Sequence, residues 1–129
     1  MKLRKIKLKT GAEILLGRDA ENNDELMKQF KGKENIILHT VAPGSPFCVI
    51  EKLNPDKKEI KEAAVICASK SQDWRDNKKD VRVHVFDGKS AKKTLFAKKG
   101  TWKITKKPKT IVVKKSEILK LKNHAPTGN

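Results

Sequence analysis

The chain is 129 residues long, 36% hydrophobic and 36% charged, with 31 Lys and Arg against 15 Asp and Glu, for a net charge of +16. That length suits one domain, able to bury roughly two-thirds of its unfolded surface without disulfides. The charge makes a polyanion the leading class of ligand, and the longest apolar run, Ala63 to Ala68, is far short of the ~20 residues of a membrane span.

Taken in chain order, residues 5–9 (Lys-Ile-Lys-Leu-Lys) alternate as a strand with one apolar face. Thr10-Gly11 turns the chain, and residues 12–16 return as the second strand of a hairpin. Asn22, Asn23 and Asp24 offer helix caps before Leu26, Met27 and Phe30 at helical spacing, and Gly32 closes that helix. Residues 35–39 and 47–50 read as short buried strands on either side of the loop 40–46, where Gly44 supplies a turn and Ser45 satisfies it. Asn54 as N-cap, with Pro55 at the first helical position, starts a second helix to about Ser69, with Ile60, Ala63, Ala64 and Cys67 on one face. Residues 71–80 read as a polar loop. Val81, Val83 and Val85 alternate with Arg82, His84 and Phe86 in a strand ended by Asp87-Gly88. Two further strands lie near 101–105 and 110–113, separated by Lys106-Lys107-Pro108-Lys109, and residues 124–129 look frayed. The expected architecture is α+β: a single domain, a largely antiparallel β-sheet with two helices packed on it, spanning 1–122 and followed by a disordered tail at 123–129.

The charge is uneven. Residues 1–10 hold five bases and no acid, residues 11–87 set 13 bases against 14 acids, and residues 88–129 hold 13 Lys against Glu117 alone. If both basic ends join one sheet, they should form one continuous basic face. Lys outnumbers Arg 27 to four (Arg4, Arg18, Arg75 and Arg82), and lysine is a point charge, so such a face suits phosphate backbone better than base edges. Cys48 and Cys67 sit in apolar stretches without zinc spacing and read as buried, reduced thiols, which together with the lack of a signal-peptide pattern behind Met1 points to the cytoplasm.

Gly-x-Gly-x-x-Gly, P-loop and Gly-x-Ser-x-Gly signatures are missing, and His39, His84 and His124 have no partners at ligand spacing, so neither cofactor nor metal is implied. The paired aromatics of an RRM and the Gly-x-x-Gly loop of a KH domain are missing too. Trp102 shares a strand face with Ile104 and reads more readily as core than as a base stacker; His84 and Phe86 are weaker stacking candidates. Arg18, Asp19, His39 and Ser45 could converge for acid–base chemistry, against the commoner role of a strand-end His bonding to a neighbouring loop.

Gly17-Arg18-Asp19-Ala20-Glu21-Asn22-Asn23 follows a strand and opens a helix, with His39-Thr40 and then Pro43-Gly44-Ser45 downstream. This pairing resembles the NFACT-R domain, the RNA-binding domain of ribosome quality-control factors related to fibronectin-binding proteins. The helix bearing Ala63-Ala64, the Val81 to Val85 strand and a late Lys-rich hairpin with Gly100 and residues 110–113 follow the family's order, so the likeness spans about residues 3–115. Val41 and Ala42 stand where the family usually has an acidic residue, and Pro46-Phe47 follows Ser45 where it often has His. The larger factors add an N-terminal domain and a coiled coil, so the chain is expected to be the stand-alone form.

The resemblance implies contact with tRNA or ribosomal RNA in translation or ribosome-associated quality control, without catalysis. Candidate nucleic-acid contacts are Arg18 and Asn23 near a helix N-terminus, His39, and Lys92, Lys93, Lys98, Lys99, Lys103, Lys106, Lys107 and Lys109, helped by the N-terminal lysines. Equally, Asn23 could only cap the helix and Arg18 only pair with Asp19 or Asp24. No membrane contact is expected, and homodimerisation through an exposed strand stays open. The alternatives are a phosphate-handling enzyme using Arg18, His39 and Ser45, or a basic module docking on an acidic protein.

Overall fold

The alternating N-terminal segments pair as a hairpin: β1 (Arg4–Lys7) runs antiparallel to β2 (Glu13–Leu16), with Ile6 opposite Ile14. In this computed structural model, which describes residues 3–93 and 98–123, the hairpin is one side of a six-stranded antiparallel sheet. The other strands are β3 (Ile36–Thr40), β4 (Cys48–Ile50), β5 (Val81–Asp87) and β8 (Lys109–Val113), in the order β1-β2-β4-β3-β5-β8. Two short strands, β6 (Ala91–Lys92) and β7 (Lys103–Ile104), pair separately. The tail expected at 123–129 lies outside the described residues apart from Asn123.

Helices α2 (Lys57–Ser69), α3 (Gln72–Asn77) and α4 (Lys115–Asn123) share one core with one face of the sheet. Ala63, Ala64, Cys67 and Ala68 are fully buried there, small side chains that let α2 lie close to the strands. On the other face, α1 (Ala20–Phe30) and the β6–β7 pair form a second core with Leu15, Ile37, Val49 and Phe86. Covered on both faces, Ile14–Leu16 of β2 and the whole of β4 read as unbroken apolar runs. β5 instead alternates along Val81–Val85, because its second face is covered only near Phe86.

Several boundaries differ from expectation. Asp19, not Asn22, Asn23 or Asp24, is the N-cap of α1, its carboxylate accepting the Asn22 N–H at 2.8 Å. Likewise Asp56, not Asn54, caps α2. Asp56 accepts the Glu59 N–H at 2.7 Å while Glu59 accepts the Asp56 N–H at 3.0 Å, a reciprocal pair that Asn54 cannot make. The supposed polar loop 71–80 contains α3, capped by Ser71 and anchored by Trp74, which is only 2% exposed. The Lys-rich end holds α4, whose Ile118 is fully buried, so among the described residues four α-helices rather than two pack on the strands. β7 and β8 do not form a hairpin: β7 pairs with β6, and β8 with β5.

The two basic ends of the chain do enter one sheet, but as its opposite edges, β1 and β8, with four strands between them. Five inter-strand steps separate those edges by roughly 24 Å. Strand pairing therefore does not join them into one continuous basic face. Carboxylates also take up several of the expected cations: Lys5 meets Glu51 at 3.6 Å, Lys89 meets Glu34 at 3.6 Å and Lys114 meets Asp80 at 3.8 Å. Lys9 and Lys120 line a separate cleft of about 650 Å³ beside α2 and α4, together with Glu62 and Glu117.

Candidate nucleic-acid interface

The Gly17–Asn23 stretch is a structural joint as well as a motif. Gly17 donates its N–H to the Phe47 carbonyl at 3.2 Å, and Asn23 Oδ1 accepts the Phe47 N–H at 3.0 Å, tying the start of α1 to the entry of β4. A Cβ on Gly17 would collide with the Asn23 amide, so this position has room only for glycine. The Arg18 N–H bonds to Asn22 Oδ1 at 3.0 Å, while its side chain projects from the surface.

The joint forms one wall of an open cleft of about 720 Å³ at the end of the sheet where β1 and β4 begin and β2 and β3 finish. Arg4 from β1, Arg18 from the β2–α1 junction, Lys70 and Arg75 from the α2–α3 corner and Lys99 line it, with His39 and Asn23. Three of the chain's four arginines are there. Among the described residues none of these five cations has a carboxylate within ion-pair distance; Asp19, which also lines the cleft, is engaged in capping α1. Arg4 Nη2 donates to the Gly17 carbonyl at 3.0 Å, but among the described residues its buried Nε has no partner. Burial, and then the charge of Arg18, lower the Arg4 pKa from its ordinary value; burial, and then Arg4, lower that of Lys70. Mutual repulsion of this kind is relieved when an anion enters.

His39 Nδ1 lies 2.7 Å from the Thr40 carbonyl, which can only accept, so Nδ1 carries the proton and neutral His39 keeps Nε2 as an acceptor. Burial dominates in lowering the His39 pKa below 6.5, and the opposing His84 adds to it against the hydrogen bonds to Thr40 and Ser45. The ring packs against Phe47, with centroids 4.5 Å apart and planes inclined at 40°. Gly44 turns the loop at φ +92°, as its sequence context suggested. Ser45 Oγ accepts the Thr40 N–H and donates to the Pro46 carbonyl, both at 3.1 Å, so the Ser45 hydroxyl that lines the cleft beside His39 is committed to the loop backbone.

The expected lysines divide. Lys99 lines the cleft; Lys92, Lys98, Lys103, Lys106, Lys107 and Lys109 are exposed outside its lining. Lys93 is held inward, with its ammonium 3.1 Å from Asp24 Oδ1 and bonded to the carbonyls of Lys98 at 2.7 Å and Thr101 at 3.0 Å. The same oxygen of Asp24 accepts the Gly100 N–H and the Trp102 indole N–H, each at 2.9 Å. Asp24 thus fixes the segment carrying Lys99 against α1, rather than pairing with Arg18. Trp102 is half-buried against the second core, in line with its reading as a core residue. Sequence reasoning missed Arg4, Lys70 and Arg75 as a group; the one available signal was the scarcity of arginine.

Among the described residues no group of His, Cys, Asp and Glu is placed to hold a metal ion, and no helix is long and apolar enough to cross a membrane. The fold and the cleft define a small three-layered α+β domain with a cation-lined cleft at one end of its sheet. The chain belongs to the NFACT-R family: the model of the NFACT protein RNA binding domain matches residues 2–123. It is 30% identical over 67 residues to the archaeal Rqc2 homolog aRqcH of Methanocaldococcus jannaschii, a match covering 50% of this chain and 10% of that protein. The chain thus matches about a tenth of the length of this curated relative. The C-terminal part of the fibronectin/fibrinogen-binding protein of Streptococcus suis has the same fold, with a TM-score of 0.80 at 23% identity over 93% of this chain and 49% of that one.

Proposed function

We propose that this domain binds RNA, tRNA or ribosomal RNA, in translation or ribosome-associated quality control, and that the arginine-lined cleft is its phosphate-binding centre. The observation that carries this reading is the convergence of Arg4, Arg18, Lys70, Arg75 and Lys99 on one cleft without carboxylate partners. Arginine there presents a planar fork to phosphate oxygens, and the exposed Lys98, Lys103, Lys106, Lys107 and Lys109 extend the attraction along the backbone. The family supports RNA as the polyanion, and binding in place of catalysis. The protein acts in the cytoplasm, where its free, buried Cys48 and Cys67 stay reduced.

Fluorescence anisotropy with labelled tRNA across a potassium chloride series tests the proposal. With roughly six phosphates neutralised, log affinity should fall against log salt with a slope of about −4 to −5. Arg18→Ala and Arg75→Ala alter exposed side chains, so circular dichroism should be unchanged, while each variant weakens binding to all RNAs and reduces the slope by about one. A slope near zero, or wild-type affinity in the double variant, would overturn the proposal.

A further inference from the structure

The layer formed by α1 and the β6–β7 pair covers only part of its face of the sheet. Beyond Ile37 and Phe86, two cross-strand rows are left without that cover. In one, His39, His84 and Thr110 stand side by side on β3, β5 and β8; in the next, Arg82 lies opposite Val112, with Val41 bonded through its N–H to the Arg82 carbonyl at 2.9 Å. Arg82 and Thr110 are exposed, and Val41 and Val112 are 43% and 44% exposed. Val81, Val83 and Val85 point into the first core, so the alternation of β5 directs Arg82 and His84 to this open face. Among the described residues Arg82 has no carboxylate partner.

The surface is continuous with the cleft, because His39 and Val41 belong to both. Its chemistry differs from that of the cleft: imidazole, guanidinium and methyl groups carried on neighbouring strands, with Arg82 as the one permanently charged side chain. Imidazole and guanidinium planes stack on unpaired bases, and valine methyls fill the space between them. A duplex, with its bases turned inward, could use only the one charge. We infer that Arg82, His84, Thr110 and Val112 form a base-contacting platform for single-stranded RNA whose backbone is anchored in the neighbouring cleft, an inference that rests on the RNA-binding reading above.

The test compares a labelled single-stranded RNA decamer with the same sequence as a duplex, using the full chain. The single strand should bind at least tenfold more tightly. The double substitution Arg82→Ala and His84→Ala should weaken single-strand binding tenfold or more and narrow its advantage over duplex. With Arg82 retained, His84→Phe, which keeps a ring for stacking, should hold affinity near wild type while His84→Ala should not. Equal affinity for both forms overturns the inference. So does an unaffected Arg82→Ala/His84→Ala variant alongside a weakened Arg18→Ala, a result that leaves the phosphate cleft standing. Absence of binding to either RNA overturns the cleft and the platform together.

Discussion

Replacing Asp24 by alanine would disconnect one wall of the cleft while leaving the sheet intact. One carboxylate oxygen takes the Trp102 indole N–H, the Gly100 N–H and the Lys93 ammonium, and the Asp24 side chain is only 14% exposed. Burial favours the neutral acid, but the hydrogen bonds from Trp102, Gly100 and Lys93 outweigh it and hold the pKa below 3.8. Hydrogen bonds to a charged group contribute about 1.5–3 kcal/mol each and do not add fully, so Asp24→Ala should cost on the order of 3 kcal/mol. Lys93 keeps its two carbonyl partners, whereas the donors of Gly100 and Trp102 are left to water. The β6–β7 pair is only two residues long on each side, so the loss should emerge as local opening before global unfolding. Amide exchange at Gly100 should accelerate by about a hundredfold, since each ~1.4 kcal/mol is a factor of ten, with little change at Leu38 or Val49 in the core. Asp24→Asn, which retains one acceptor oxygen, should fall between the two, and RNA affinity should drop several-fold in Asp24→Ala as Lys99 loses its fixed place. Wild-type protection at Gly100 in Asp24→Ala would refute the reasoning.

Two further outcomes concern stability. Glu59, 1% exposed, has its pKa lowered from 4.5 to about 2 by hydrogen bonds from the Thr10 hydroxyl, the Asp56 N–H and Lys52. Because the folded state holds this carboxylate ionised, its stabilisation is complete above pH 4.5 and disappears as pH falls through about 2; urea midpoints measured across that window should lose part of their slope in Glu59→Gln. At Gly44, alanine would have to adopt φ +92° with its Cβ 2.9 Å from Gln72 Cβ, a cost of about 1–2 kcal/mol for the left-handed backbone alone. Urea titration should show that loss, and an unchanged midpoint would mean that the loop yields without strain.

The sheet was legible where one residue reports on its own surroundings. The Val81–Val85 alternation follows from a strand covered on one face, and the apolar run at Val49–Ile50 from a strand covered on both. α3 escaped notice because a six-residue helix shows one buried side chain, Trp74, among polar neighbours. The Lys excess around α4 hid the spacing of Ile118 and Leu121 in the same way. The true cap of α2 was readable as Asp56-x-x-Glu59, a reciprocal pattern stronger than an isolated Asn54. Of the site, Arg18, Asn23, His39 and Lys99 were anticipated, but Arg4, Lys70 and Arg75 come from β1, the end of α2 and α3, and their meeting depends on sheet order and helix docking. Local patterning carries no record of such long-range assembly.

The origin of the cleft in five separate stretches of chain makes it a property of the finished molecule. A chain with β1 undocked lacks Arg4, and one with α3 unfolded misplaces Arg75. Ligand and native state are therefore thermodynamically linked: an RNA present at a hundred times its dissociation constant would raise the unfolding free energy by about 2.7 kcal/mol. If the cleft holds phosphate as proposed, molecules caught partway through folding would present dispersed charge and hold it weakly, so a polyanion would itself select intact copies of the protein.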